Sequence, residues 1–201
     1  MSKWIWKIRE DEITSYVVFV LANSCMPTLL KQKPSSLITV HKKYISHKKK
    51  FFMALGREIA SFQVNYKILY ETQEMYFLFV YDSCLLSKVL TENQTNNILI
   101  ENGYQDKDLK EGLKQFEKRF QKFKEEKVEF PHEVGIFLGY PIEDVEAYIL
   151  NKGENYKLCG YWKVYNNVEQ AKRTFQFFTD TRNYAMRLLI SGRELNEIKS
   201  K

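Results

Sequence analysis

Half of the eight glycines and half of the four prolines of this chain fall between Phe130 and Tyr165, FPHEVGIFLGYPIEDVEAYILNKGENYKLCGYWKVY. Proline fixes φ and removes a donor, and glycine opens backbone conformations closed to other residues. The stretch must therefore break into short elements joined by tight turns. Pro141 starts a helix with Glu143 and Asp144 in its first turn, Lys152 in its last and Gly153 as its stop. Tyr156 to Tyr165 reads as extended. The same segment holds His132, Cys159 and Trp162, so it is the first place to look for a functional surface.

Periodicity sets out the rest. Ile13–Leu21 is rich in β-branched residues, yet Glu10, Asp11 and Glu12 ahead of it make a helical first turn, and a helix is expected. Ser24-Cys25-Met26-Pro27-Thr28 ends or kinks it, because Pro27 disfavours helical geometry at Met26. Leu37–Val40 is a short strand after the Lys-Pro-Ser-Ser turn. Phe51, Phe52, Leu55, Ile59 and Phe62 recur at helical spacing. Val64, Tyr66, Ile68 and Tyr70 alternate as a strand, and Met75–Tyr81 is a more buried one, with Glu71–Glu74 as a hairpin connector. Short helices follow at Leu85–Leu90 and Gln94–Ile100, ending at Asn102-Gly103. Asp106 is the expected cap of a long helix carrying Leu109, Leu113, Phe116, Phe120 and Phe123 inward. Asn167 and Gln170 resemble a capping box for a last helical region with Val168, Ala171, Phe175 and Phe178 inward. Asn183–Ile190 is ambiguous between helix and strand, and Gly192 breaks it before a short tail helix.

These elements give an α+β fold. A small, mainly antiparallel sheet of three strands, with Tyr161–Tyr165 as a candidate fourth, is covered by helices, and the C-terminal half is mostly helical. The 201 residues suit a single domain, with an α+β part over about residues 1–103 and a helical part over about 104–201. The longest apolar run, Val17–Ala22, is far below the ~20 residues that span a bilayer, and the acids at 10–12 interrupt any secretory signal. Three scattered cysteines, Cys25, Cys84 and Cys159, give no disulfide framework; free thiols, each buried and inert, in a reducing cytoplasm are expected.

The net charge of +6 has one source. Residues 31–57 hold eight basic groups and no acid, while the remainder is nearly balanced. Lys42, Lys43, Lys48, Lys49 and Lys50 are the candidate contacts for an anionic partner, with His41 and His47 able to add charge at mildly acidic pH. Interleaved Tyr44, Phe51 and Phe52 are compatible with nucleic acid, although the same aromatics serve a core equally well and no nucleic-acid-binding motif is present.

The candidate patch comprises Cys25, from the Ser24–Thr28 turn, with His132, Glu133, Cys159, Tyr161, Trp162, Lys163 and Tyr165 of the signature stretch. His132-Glu133 is a pair suited to proton transfer or metal ligation, but position 136 is Ile and the second His of a zinc-protease helix is missing. Gly135 and Gly139 permit close approach of another element and do not make a phosphate loop. Cys159 lies between Lys157 and Gly160, which makes it a candidate reactive thiol if exposed. The Tyr161/Trp162/Tyr165 stripe stacks bases or a flavin-like ring in one reading, and covers the core in the other. Cys25, His132 and Cys159 are weak metal candidates without CxxC spacing. The residues name no cofactor and leave a metal or a flavin open.

The runs HEVGIFLGYPIEDVEAYILNKG and KLCGYWKVY, with CMPTLLKQKPSSL nearer the N-terminus, resemble the signature of a bacterial family known only as a domain of unknown function. The resemblance covers most of the chain and implies a shared fold and patch without a reaction. Relatives carry a cysteine doublet where this chain has Leu158-Cys159, and a Cys-Thr where it has Asp180-Thr181. A cysteine-held metal cluster is correspondingly disfavoured. Two classes of function follow. The first is a non-enzymatic binding or adaptor domain that takes another protein or an acidic partner through the Pro131–Tyr165 patch and the basic segment, residues 31–57. The second is a thiol- or metal-dependent redox protein using Cys25 and Cys159. Non-specific nucleic-acid binding is a third reading.

Overall fold

The computed structural model describes residues 11–92, 96–104, 108–126 and 128–200. The fold is α+β: a mainly helical chain with a three-stranded antiparallel sheet, and a separate two-stranded ribbon in the mostly helical C-terminal half. The chain gathers into two compact units. Of the described residues, unit 1 comprises 11–32, 36–82 and 178–200, and unit 2 comprises 33–35 and those between 83 and 177.

Unit 1 is built on α1, Glu12–Ser24. Its β-branched residues favour strand, but the Asp11 carboxylate accepts from the Thr14 amide at 2.9 Å and caps the helix. Burial then decides: Ile13, Tyr16, Val17, Val18, Val20 and Leu21 are all buried, as expected of a helix apolar around most of its circumference. At Cys25 the chain turns into the one-turn helix α2, Met26–Leu29, with Pro27 in its first turn. The strands β1 (Ser35–His41), β2 (Asn65–Glu71) and β3 (Met75–Tyr81) lie in the order β1-β3-β2. The helix α3, Lys48–Ser61, packs on α1 and turns Phe51, Ala54, Leu55 and Ile59 inward.

The expected alternation along β2 fails at one point. Pairing runs Ile68 to Leu78 and then Tyr70 to Phe77, so Leu69 is an extra residue in a bulge, and it is fully buried. Inward residues therefore do not follow the simple Tyr66, Ile68, Tyr70 period.

Unit 2 holds α4 (Ser83–Thr91), α5 (Asn96–Glu101), α6 (Leu109–Glu126), α7 (Val134–Phe137), α8 (Ile142–Leu150) and the ribbon strands β4 (Leu158–Cys159) and β5 (Lys163–Val164). Leu113, Phe116 and Phe120 of α6 are buried, and Phe116 stacks on Phe137 at 4.5 Å. The expected cap Asp106 and the expected helix start Gln94 lie outside the described residues; the Asp108 carboxylate caps α6, accepting from the Lys110 and Glu111 amides. Tyr161–Tyr165 does not supply a fourth strand to the sheet. Its residues 163–164 pair with 158–159 as an isolated ribbon. The helix α8 stops at Leu150, before Lys152, and Gly153 takes a positive φ of 75°.

The last helix, α9, Val168–Ile190, runs on through the ambiguous residues 183–190 and is followed by Gly192 and a 3-10 turn at Leu195–Ser200. Asn167 caps it, accepting from the Gln170 amide and donating to the Gln170 side chain.

Candidate functional site

In unit 2 the two halves of the signature meet on Asp144. This carboxylate is buried in the first turn of α8. Its Oδ2 accepts from the Trp162 indole N–H at 2.8 Å, and its Oδ1 accepts from the Tyr165 and Asn166 amides at 2.9 and 3.0 Å. The Asn166 side-chain amide adds a longer bond at 3.4 Å. Trp162 stacks on Tyr140 at 5.2 Å and meets Phe175 edge-on at 4.5 Å. Gly160 is there because a Cβ would overlap the Phe175 ring. Gly135 admits the Val145 side chain between α7 and α8, and Gly139, at φ +73°, fits against the Pro34 ring. The glycine and aromatic signature is thus largely a set of packing requirements.

Glu133 is equally committed. It is 1% exposed, accepts from the Arg119 guanidinium, and takes the Tyr104 hydroxyl at 3.1 Å. Arg119 also donates to the Asn102 side chain at 2.6 Å, tying α5, α6 and α7 together. Burial, and then the Glu133 charge, push the Tyr104 hydroxyl far above the usual phenol range. Burial opposes the charge on Arg119, but the bond and charge of Glu133 outweigh it and raise its pKa. Its neighbour His132 pairs through Nε2 with Glu129 at 3.1 Å and lies against Tyr148 at 5.2 Å. The sequence leaves His132-Glu133 open between a proton-transfer or metal-ligating pair and a capping or core-edge His; the structure gives the two side chains separate partners. Asp144, Arg119, Tyr104 and Asn102 were missed, since their roles come from partners 14–29 residues away in the chain.

Lys163 donates to the Gly153 carbonyl at 2.7 Å, with its ammonium 4.8 Å from the Tyr156 ring centre and 5.7 Å from that of Tyr148. Tyr165 is 7% exposed and Tyr161 37%. Among the described residues the Tyr165 hydroxyl and His132 Nδ1 are buried without a hydrogen-bond partner. The expectation of three buried thiols is corrected: Cys25 is buried in the core of unit 1, while Cys84 and Cys159 are exposed. Cys159 is a turn-flanking ribbon residue paired across to Lys163, where no packing encloses it. No group of three or more His, Cys, Asp or Glu among the described residues is arranged to hold a metal ion.

The basic segment lies in unit 1, where β1 leads through a 3-10 turn at Lys42–Tyr44 into α3. His47 is the N-cap of α3, and residues 46–50 are all exposed. The sequence shows these lysines without acids, but the fold brings acids to some of them. Lys42 donates to Glu71 Oε1 at 2.5 Å, and Lys48 reaches Glu71 Oε2 at 3.1 Å. Both ammoniums also lie over the buried Tyr76 ring, 4.6 and 5.2 Å from its centre. The Lys42 hydrogen bond, aided by Lys48, holds the Glu71 carboxyl below the usual range, and Glu71, with Tyr76, raises Lys48. Lys31 reaches Asp82 at 3.2 Å. Lys43 lies over Tyr44, and Lys43, Lys49 and Lys50 are exposed. The aromatics of the segment turn inward: Phe51 is 1% exposed, Tyr44 packs on Tyr16, and Phe52 packs on Phe51, Tyr66 and Tyr76.

Residues 21–199 match the family described as Protein of unknown function (DUF3793). The chain belongs to that family. The match takes in both units, including the Asp144-centred ribbon and the lysine segment. No curated protein and no solved structure matches the chain. No helix among the described residues of this DUF3793 protein is long and apolar enough to cross a membrane.

Proposed function

We propose that this DUF3793 chain is a non-catalytic binding module that takes an acidic polypeptide on the lysine face of unit 1. The observation that carries the reading is the separation of charge. Among the described residues unit 2 holds thirteen basic and fourteen acidic groups, whereas unit 1 holds twelve basic and nine acidic, so the positive excess lies in unit 1. Within it, Lys43 and Lys48–Lys50 are exposed around one helix start. A like-signed surface raises the local concentration of an oppositely charged partner and speeds encounter. The inward-facing Tyr44, Phe51 and Phe52 favour a polypeptide over nucleic acid, because single-strand binding relies on exposed rings that stack bases.

The signature half enters this reading as scaffold. Asp144, Glu133 and Trp162 are engaged in internal bonds, and the outward residues Tyr156, Tyr161 and Cys159 form a secondary surface. The thiol reading keeps an exposed Cys159, but Cys25 is sealed among apolar side chains.

The test is fluorescence anisotropy with a labelled polyglutamate peptide and a single-stranded oligonucleotide of equal charge. Lys43→Glu/Lys49→Glu/Lys50→Glu should abolish peptide binding, and wild-type binding should weaken steeply as salt shortens the screening length below about 8 Å. Peptide affinity unchanged by the triple reversal would refute the proposal, as would tight oligonucleotide binding with none to the peptide.

A further inference from the structure

The lysine face contains a carboxylate already bound. Glu71, at the end of β2, is held by two ammoniums, Lys42 on Oε1 and Lys48 across both oxygens, and both ammoniums lie over the ring of Tyr76. Tyr76 is 3% exposed, fixed on β3 and packed edge-on against Phe52, so the floor of this arrangement is rigid. The backbone ties the same parts together, since the Lys42 amide donates to the Glu74 carbonyl at 2.8 Å. The upper side is open. The Glu71 side chain is 38% exposed and that of Lys48 is 60% exposed.

We infer that Lys42, Lys48 and Tyr76 form a carboxylate clamp for a Glu or Asp side chain of the acidic partner, and that Glu71 is its resident occupant. The inference rests on the proposed acidic-polypeptide reading and adds a recognition point and a brake to it. The clamp is built before the partner arrives, so binding there orders no further lysine side chains. Exchange of one carboxylate for another keeps both ammoniums satisfied, and Glu71 itself can turn into solvent because it is already partly exposed. The clamp selects carboxylate over a flat base, since the only ring in it is covered by the two ammoniums. Glu71 lowers affinity by competing, and it disfavours partners with too few acids to displace it.

Anisotropy with the polyglutamate peptide decides the matter, using Glu71→Gln and Glu74→Gln in the full chain. Each variant removes one negative charge from the same hairpin turn, and Glu74 is exposed. A general charge effect would tighten both equally. The clamp predicts that Glu71→Gln binds about threefold tighter or more, on the scale of an exposed ion pair, and that Glu74→Gln changes affinity by less. Equal effects from the two variants, or none, overturn the clamp and leave the wider lysine face standing. Loss of all dependence on Lys43, Lys49 and Lys50 overturns the face itself. If Glu71→Gln does not fold, Lys48→Met replaces it: the clamp predicts about threefold weaker binding, and unchanged affinity refutes it.

Discussion

Asp144→Ala is the change that most severely tests the scaffold. The substitution removes the acceptor for three N–H groups held at 2.8–3.0 Å and for a fourth at 3.4 Å. The Tyr165 amide is buried and cannot turn to water; leaving such a donor unsatisfied costs about 1–3 kcal/mol. The Trp162 and Asn166 donors are part-buried, and each adds about 1 kcal/mol. The sum, about 3–5 kcal/mol, is a large share of the ~5–15 kcal/mol that holds a typical domain. Asp144→Asn separates the terms. Its amide oxygen still accepts from the Tyr165 and Asn166 amides, while its NH₂ faces the Trp162 N–H donor to donor, so about 1–2 kcal/mol is lost. In that background Trp162→Phe should cost less than in the native chain, because the indole N–H no longer has an acceptor to lose. Urea unfolding followed by circular dichroism, and by Trp162 fluorescence with Trp4 and Trp6 replaced by Phe, reads all of these. A loss below about 1 kcal/mol for Asp144→Ala, or identical losses for Ala and Asn, would refute the reasoning.

Other consequences are as specific. Arg119→Leu strands the buried Glu133 carboxylate and should cost about 3–5 kcal/mol, whereas Arg119→Leu/Glu133→Leu should cost less than the single change; urea midpoints of the two variants decide. At alkaline pH the unfolded chain loses phenol protons near pH 10, while folded Tyr104 keeps its proton and Tyr140, raised by burial, keeps it to about 12. The unfolded state then binds fewer protons, so stability falls as pH rises above 10; the tyrosinate absorbance of these two residues should appear together with unfolding, not before it. Gly160→Ala places a methyl group on the Phe175 ring and should open the ribbon, which limited proteolysis after Tyr161 or Lys163 would report. Tyr165→Phe removes a hydroxyl that has no partner among the described residues, and should leave stability within about 1 kcal/mol of native or raise it.

Elements whose signal is local were legible in the sequence. The helix over Phe51–Phe62, the Glu71–Glu74 hairpin and the Asn167 cap follow from period and side-chain chemistry within a few residues. Leu69 was not legible, because a bulge is set by how two strands accommodate each other and not by the alternation of one. The isolated ribbon was also missed: its strands pair two residues each and are fixed by Asp144, an anchor 18–22 residues distant that looked like an ordinary first-turn acid. The lysine segment shows the same limit. Its charge was evident, but the counter-charge of Glu71 comes from a hairpin 23 residues beyond Lys48, so the free basic surface is narrower than the composition suggests.

Hydrogen exchange with and without saturating polyglutamate peptide locates the working face most directly. Slower exchange confined to residues 41–50 and 71–76, with no change across 131–165, is the predicted pattern. Protection of the ribbon and α8 alone, with the lysine segment unaltered, would show that the signature half is the recognition surface and that the account has assigned the two units the wrong roles.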